Sequence, residues 1–505
     1  MLEFKQNNEI TYESNEYVAQ NEFIGLASVC SKLPKYDEIK HLLPRPIFDG
    51  HDDYIACYDY AWKTAFSNLC NPTENSGFIC DFIDTAFNGC LFMWDSSFIL
   101  MFTKYANRVF PFQKTLDNFY AFQHKDGFIC RQVREETGLD RFARHDPSST
   151  GPNVMPWCEW QYFENYGDKE RLRKVYAPLR AYHVWMRKNR TWRDGTYYSS
   201  GWGCGMDNVP RLKSGYDCRF SNGKMVWIDS CLQALISCDL LIKMNEALGG
   251  NDDVSDLVTE RAKLEKVINE DAWDESTQFY YDIWEDGEKN FVKHVGAYWA
   301  LLVDVVPDVR LDGFVKHLEN EKEFNRPVPI PTLSADHPEY NAKGGYWRGG
   351  VWSPTNYMIL NGLVKKGYYS LANQIAEKYV DAVVKVFNAD KTLWENYAPE
   401  SIEKGSPAKS EFVGWTGLAP ISVFFEYVLG IRADVPKDLI TWDVNRTERH
   451  GITNYPFGRD NVVDLLCDER PDKNAEPNIT ITAKAPVKVL VRYGNNQKLI
   501  TATIK

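Results

Sequence analysis

Two carboxyl groups stand in loops whose other residues are largely glycines and aromatics. Asp207 lies in Ser200-Gly201-Trp202-Gly203-Cys204-Gly205-Met206-Asp207-Asn208-Val209-Pro210-Arg211, and Glu395 lies in Leu393-Trp394-Glu395-Asn396-Tyr397-Ala398-Pro399-Glu400. A pair of carboxyls facing one pocket can split a glycosidic bond. One protonates the leaving oxygen, and the other activates water or attacks carbon. Such a pair comes from opposite walls, so a long separation in sequence is expected. The glycines before Asp207 let the backbone turn tightly and approach a ligand. Trp202 would form a wall there, and Arg211 would bind a hydroxyl. An Asx-turn at Asp207-Asn208 is the plainer reading of the same text. Around Glu395 the flanking aromatics limit hydration, which raises a carboxyl pKa and suits a base working near neutrality. Glu400 reads as an ordinary exposed loop acid.

Two further segments carry chemistry. Trp94-Asp95 opens a helical pattern, where Asp95 serves equally well as a cap on the helix N-terminus. Gly344-Gly345-Tyr346-Trp347-Arg348-Gly349-Gly350-Val351-Trp352 sets three aromatics and an arginine between glycines. A guanidinium fixed beside indoles suits a sugar ring and its hydroxyls; a buried loop anchored by tryptophan packing fits the same residues. The nine histidines form no H-x-x-x-H or Cys/His pattern, so no metal is expected. Neither a P-loop nor a G-x-S-x-G elbow is present, and no cofactor is expected.

The elements that must position these loops are helices. Apolar spacing predicts helices over 95–106, 111–123, 157–166, 169–189, 226–248, 254–270, 293–305, 311–320, 354–366, 368–387 and 416–429. They recur in pairs without clear sequence repetition, and the chemically rich loops lie between them, as on a scaffold with a loop-built site. A solenoid would show shorter and more regular repeats. After about residue 435 the segments NITITAK, VKVLVRY and KLITATIK alternate and are rich in Val, Ile and Thr, which predicts a small antiparallel β-domain. The expected division is an N-terminal arm over 1–45, a helical domain over 46–432 and a β-domain over 433–505.

Composition narrows the partners. A chain of 505 residues is too long for one ordinary core. Aromatics make up 14%, with 16 Trp; such rings stack on sugar faces, although large cores use them too. The net charge of −12 argues against nucleic acid and against an anionic membrane surface. The start MLEFKQNNEITYESNEY has no basic stretch followed by an apolar one, so no signal peptide is expected. No apolar run reaches the ~18 residues of a membrane span. The 12 cysteines are scattered without a C-x-x-C pair and read as buried free thiols in a reducing, cytoplasmic compartment. Without secretion the sequons at Asn189, Asn445 and Asn478 carry no weight. A small carbohydrate is the expected partner, and a homo-oligomer is left open.

GGYWRGGVWSPTNY, LWENYAPE and FVGWTGLAPI, in that order, resemble the C-terminal half of glycoside hydrolase family 63. MWDSSF and SGWGCGMDNVPR resemble its Trp-Asp segment and its Gly-rich loop ending in Asp-x-x-x-Arg. The group holds α-glucosidases and mannosylglycerate and glucosylglycerate hydrolases, with family 37 trehalases more distant. The resemblance covers roughly 90–430. It implies a mainly α fold, an (α/α)6 toroidal barrel, and inversion of configuration, with Asp207 as general acid and Glu395 as general base. It further implies that Trp94, Asp95, Trp347, Arg348 and Trp352 line the subsite of the non-reducing sugar. Trp202 and Arg211 would lie beside the acid, with Glu411 and Trp415 near the site. The long Gly-rich loop that trehalases carry after the base segment is absent from this sequence, and the glycerate-glycoside hydrolases lack an appended β-domain.

The implied activity is removal of an α-linked glucosyl residue from a small glucoside or oligosaccharide by single displacement. An inverting pair stands ~6.5–9.5 Å apart, leaving room for water, whereas a retaining pair stands at about 5 Å. The alternatives are a trehalase-like or glycerate-glycoside hydrolase and an inactive sugar-binding barrel. Epimerisation or polysaccharide lysis on such a barrel would need His or Tyr bases in the loops and ranks lower.

Overall fold

A computed structural model of the chain describes residues 12–84, 88–412 and 414–504. Residues 1–11 of the expected arm and Val413 of the FVGW segment lie outside the described residues. The apolar spacing over 226–248 becomes the helix Ile228–Leu248, ended by Gly249 in a left-handed conformation at φ 112°. Asp168 caps the helix Lys169–Asn189 by accepting from the Arg171 N–H.

The helical segments contact one another in a ring. Met93–Thr103 packs on Met155–Tyr166, which packs on Ile228–Leu248. That helix meets the 3-10 segment Val295–Leu302, which lies on Ser353–Lys365. Ser353–Lys365 touches Trp415–Leu418, which returns to Met93–Thr103. Outside this ring lie Thr115–Ala121, Lys169–Asn189, Ser255–Val267 and Tyr369–Asp390. With them lies Asp52–Ser67, a helix that the sequence reading does not delimit. Each loop between ring segments therefore opens at one end of the ring or the other.

Two ring segments are not ordinary α-helices, although plain helices are expected there. Val295–Leu302 winds as 3-10, and Ala419–Val428 winds as π after the 3-10 turn Trp415–Leu418. Both are buried on nearly every face, and Gly417 sits so tightly that a Cβ would come within 2.4 Å of the Phe102 ring. Local winding yields to packing at such a close approach.

The C-terminal strands form two sheets. One runs Arg45–Phe48, His450–Phe457, Asn461–Cys467, Ile479–Ala483, Thr503–Ile504; the other runs Ile431–Asp434, Leu439–Asp443, Lys488–Tyr493, Asn496–Thr501. Alternation sends Val463, Leu465 and Cys467 inward. Two expectations change. Arg45–Phe48 pairs antiparallel with His450–Phe457, so the boundary at residue 45 cuts a strand that belongs with the C-terminal sheets. Leu439–Asp443 also pairs in parallel with Lys488–Tyr493, and Ile479–Ala483 with Thr503–Ile504. Strand direction depends on the connection between strands, and side-chain alternation does not encode it.

None of the twelve cysteines is in a disulfide, and Cys30 is exposed while most of the others are buried. No helix among the described residues is long and apolar enough to cross a membrane. His183, Cys238 and Glu260, from the helices Lys169–Asn189, Ile228–Leu248 and Ser255–Val267, bring their ligand atoms within 4.8 Å of one another. Spacing in sequence cannot show such a cluster. Its hydrogen bonds close within the protein: His183 Nε2 lies 3.0 Å from Glu260 and Nδ1 3.0 Å from Ser237, while Arg187 and Tyr197 donate to the same glutamate.

Candidate active site

The short strands Cys90–Phe92 and Gln132–Arg134 pair antiparallel. The Met93 N–H donates to the Arg131 carbonyl at 2.8 Å, so Arg131 lies beside the first turn of Met93–Thr103, which carries Trp94 and Asp95. Asp95 is 4% exposed. Its Oδ1, together with Trp94 Nε1 and Trp352 Nε1, is buried without a hydrogen-bond partner among the described residues.

Asp207 leaves a single helical turn, Gly201–Cys204, capped by Ser200, whose hydroxyl accepts from the Gly203 N–H. A Cβ at Gly201 would meet the Cys218 carbonyl at 2.1 Å and that of Asp207 at 2.6 Å, so only glycine fits under this loop. Gly205 turns through φ 77° and lies flat on Trp94, whose ring a Cβ would touch at 3.2 Å. The Asp207 loop is thereby seated on the Trp94–Asp95 helix.

Glu395 is held from four directions. Its N–H donates to the Lys409 carbonyl at 2.9 Å. The Lys409 N–H donates to Oε2 at 3.2 Å, the Tyr346 hydroxyl to Oε1 at 3.3 Å, and Trp415 Nε1 to the Glu395 carbonyl at 3.0 Å.

The segments carrying Asp95, Asp207 and Glu395 are joined through Gly205, Asn208 and Tyr346, and their carboxyls act on one another. Burial raises Asp207 to about 6, against the pull of Arg131 and with a further push from Glu395. Burial also raises Glu395, which the Lys409 N–H and the Tyr346 hydroxyl pull back. Asp95 stands well above the usual carboxylate range, first through burial, with Glu395 and Asp207 adding to it. Burial raises the Tyr346 phenol as well, and Glu395, Asp207 and Asp95 push it further. A carboxyl titrating near 6 can give a proton at mildly acidic pH, and one held by two donors stays available as a base. With Asp207 as the proton donor, the basic limb of kcat/KM would fall near pH 6, where its carboxyl ionises. Arg131 favours the ionised Asp207, so Arg131→Gln should keep the acid protonated to higher pH and move that limb upward. A limb that stays put in a pH–rate series would remove Arg131 from this role.

The other expected residues divide. Trp347 and Trp352 are buried and stack face to face, with centroids 3.9 Å apart and planes at 3°. Trp415 meets Trp352 edge-on at 5.6 Å. Trp202 is half-buried against Phe142 and Phe220. Three expectations need correction. Arg211 does not reach toward a hydroxyl: it is 2% exposed and clamped between Asp229 and Asp282. Two buried carboxylates hold it more strongly than a pocket hydroxyl would. Arg348 is exposed, paired with Glu339 at 3.1 Å, rather than fixed beside indoles. Glu411 is exposed and bonds through its N–H to Thr392, so among the described residues nothing ties its carboxyl to Asp207 or Glu395.

Two residues of the site escape the sequence reading. Tyr346 stands in a quoted loop, but there it looks like one more wall aromatic. Arg131 sits in Phe128-Ile129-Cys130-Arg131-Gln132-Val133-Arg134, outside the Gly/Trp loops, and only the strand pairing carries it to Asp95. Its Nε donates to the Ser148 carbonyl at 2.5 Å.

Comparison with known proteins bears on the family and the fold. An uncharacterized protein of Borreliella burgdorferi is 23% identical over 403 residues, covering 77% of this chain and 80% of that one. A probable mannosyl-oligosaccharide glucosidase of Schizosaccharomyces pombe is 25% identical over 284 residues, covering 53% of this chain but 33% of its own length. The crystal structure of the GH63 mannosylglycerate hydrolase of Thermus thermophilus in complex with glucose superposes with a TM-score of 0.57 at 20% identity. It covers 71% of this chain and 98% of that one. Residues 91–416, the span that runs from the Trp94–Asp95 helix past Asp207 and Glu395 to Trp415, match a single family. The chain belongs to the mannosylglycerate hydrolase MGH1-like glycoside hydrolase domain family.

Proposed function

We propose that this glycoside hydrolase is an inverting enzyme that removes an α-linked glucosyl residue from a small glucoside or oligosaccharide. In this reading the ring of helices is an (α/α)6 toroidal barrel, and the loops at one end of it form the site. Asp207 protonates the glycosidic oxygen while Glu395 takes a proton from water on the opposite face of the sugar. The observation that carries the reading is that the Asp207 loop rests on the Trp94–Asp95 helix and is bonded to the loop whose Tyr346 hydroxyl reaches Glu395, with buried polar atoms of Trp94, Asp95 and Trp352 left for sugar hydroxyls. The glucose held by the Thermus thermophilus relative supports a glucosyl subsite. Hydrolysis of maltose, kojibiose, nigerose, trehalose and glucosylglycerate, followed at early times by NMR, tests it. β-Glucose is the expected first product from glucosylglycerate, which frees no second glucose, and one β-glucose beside one α-glucose is expected from trehalose; α-glucose from glucosylglycerate would make the enzyme retaining and sink the single displacement.

One observation favours a second reading of the leaving group. The Arg131 guanidinium lies near Asp207 and Asp95 and has no ion pair within 4.0 Å among the described residues. A glycoside of a small hydroxy acid would give it a carboxylate to bind. Preference for glucosylglycerate over maltose, lost in Arg131→Gln, would select that class.

A further inference from the structure

Asn208, next to Asp207, is half-buried and uses both ends of its side chain on the opposite loop. Its Nδ2 donates to the Gly345 carbonyl at 3.0 Å, and its Oδ1 accepts from the Trp347 N–H at 2.8 Å. Its own carbonyl accepts from Arg348 Nε at 3.3 Å. The residue between the two clamped positions is Tyr346. Its backbone is left-handed, at φ 64°, directly after Gly345 at φ 51°. A tyrosine rarely adopts that conformation unless its surroundings hold it there. The carboxamide brackets the one strained residue whose hydroxyl reaches Glu395.

We infer that Asn208 is a positioning residue that ties the loop of the general acid to the Tyr346–Glu395 half of the site, so that acid and base keep one register. The inference rests on the acid–base reading above. Asn208 touches no reacting atom in it; it acts through the placement of Tyr346. Loss of the carboxamide should release Tyr346 and with it the hydroxyl that favours the ionised Glu395.

The test is a double-mutant cycle of Asn208→Ala and Tyr346→Phe with full pH–rate profiles. Each single variant should lower kcat by about 10–100-fold with a smaller change in KM. Each should also move the acidic limb to higher pH, because Glu395 loses a donor that holds its carboxylate. The double variant should match the worse single one, since both changes break one connection. A merely structural Asn208 would leave the acidic limb in place and add its effect to that of Tyr346→Phe, which would overturn the inference. Asn208→Ser, read by the same limb shift, decides the matter if thermal melting shows that Asn208→Ala is unfolded. Glu395→Gln run in parallel keeps the two levels apart. Wild-type turnover there sinks the acid–base reading itself. An inactive Glu395→Gln with additive Asn208 and Tyr346 effects sinks only the positioning role.

Discussion

Glu395→Gln is expected to lower kcat by about 10²–10⁴-fold on every substrate, while Asp207→Asn should do so only where the leaving group needs a proton. The difference follows from the roles. A glutamine at 395 cannot take a proton from water, whatever departs. An asparagine at 207 cannot protonate a glycosidic oxygen, but fluoride leaves with little help, so α-glucosyl fluoride should retain much of its turnover in Asp207→Asn. Steady-state rates on the fluoride and on a disaccharide separate the two groups. Equal losses on both substrates in both variants would reject the assignment of acid and base to particular residues. Near-normal turnover of the disaccharide in either variant would remove that residue from the mechanism.

The two loops that hold these carboxyls are legible in sequence because their glycines and aromatics are local marks. Asp207 stands among glycines that no side chain can replace, as the carbonyl contacts under Gly201 show, and Glu395 stands among aromatics that dry it. Helices such as Lys169–Asn189 and Ile228–Leu248 were equally legible, since periodicity and a terminal glycine are local signals. What depends on distant partners was not. Arg211 reads as a ligand of the site because it follows Asp207 closely in sequence. Its fate is set by Asp229 and Asp282, one from the next helix and one from a later strand region. Arg131 is the converse case, an unremarked residue that strand pairing delivers to the pocket. The strand Arg45–Phe48 likewise takes its place from His450–Phe457, some four hundred residues later. A side chain's environment belongs to the fold, whereas its motif belongs to the chain.

Arg211 supplies the second large effect. Its Nη1 and Nη2 donate to both oxygens of Asp229 at 2.7 and 3.0 Å, and its Nε and Nη2 donate to Asp282 at 2.9 and 2.5 Å. The guanidinium lies over the Trp227 ring at 4.1 Å. Both carboxylates are fully buried. Asp282 is held well below the usual carboxylate range, against the push of burial, by Arg211 and then His294. Arg211→Met would keep the volume and strand two anions in the core. Removing one partner of a buried ionic network costs about 3–5 kcal/mol, because the penalty is the unpaired charge left behind. The variant should therefore melt well below the parent and lose protease resistance first around residues 199–230. Arg211→Met combined with Asp229→Asn and Asp282→Asn should regain part of that stability, since neutral amides need no counter-ion. Lysine at 211 should recover less, because one ammonium cannot serve two carboxylates in fork geometry. The readout that decides between the two roles is KM in protein that remains folded. A parental melting temperature with a KM raised tenfold would return Arg211 to the sugar. An unchanged KM beside a lowered melting temperature makes it the anchor that holds the end of the acid loop to the core.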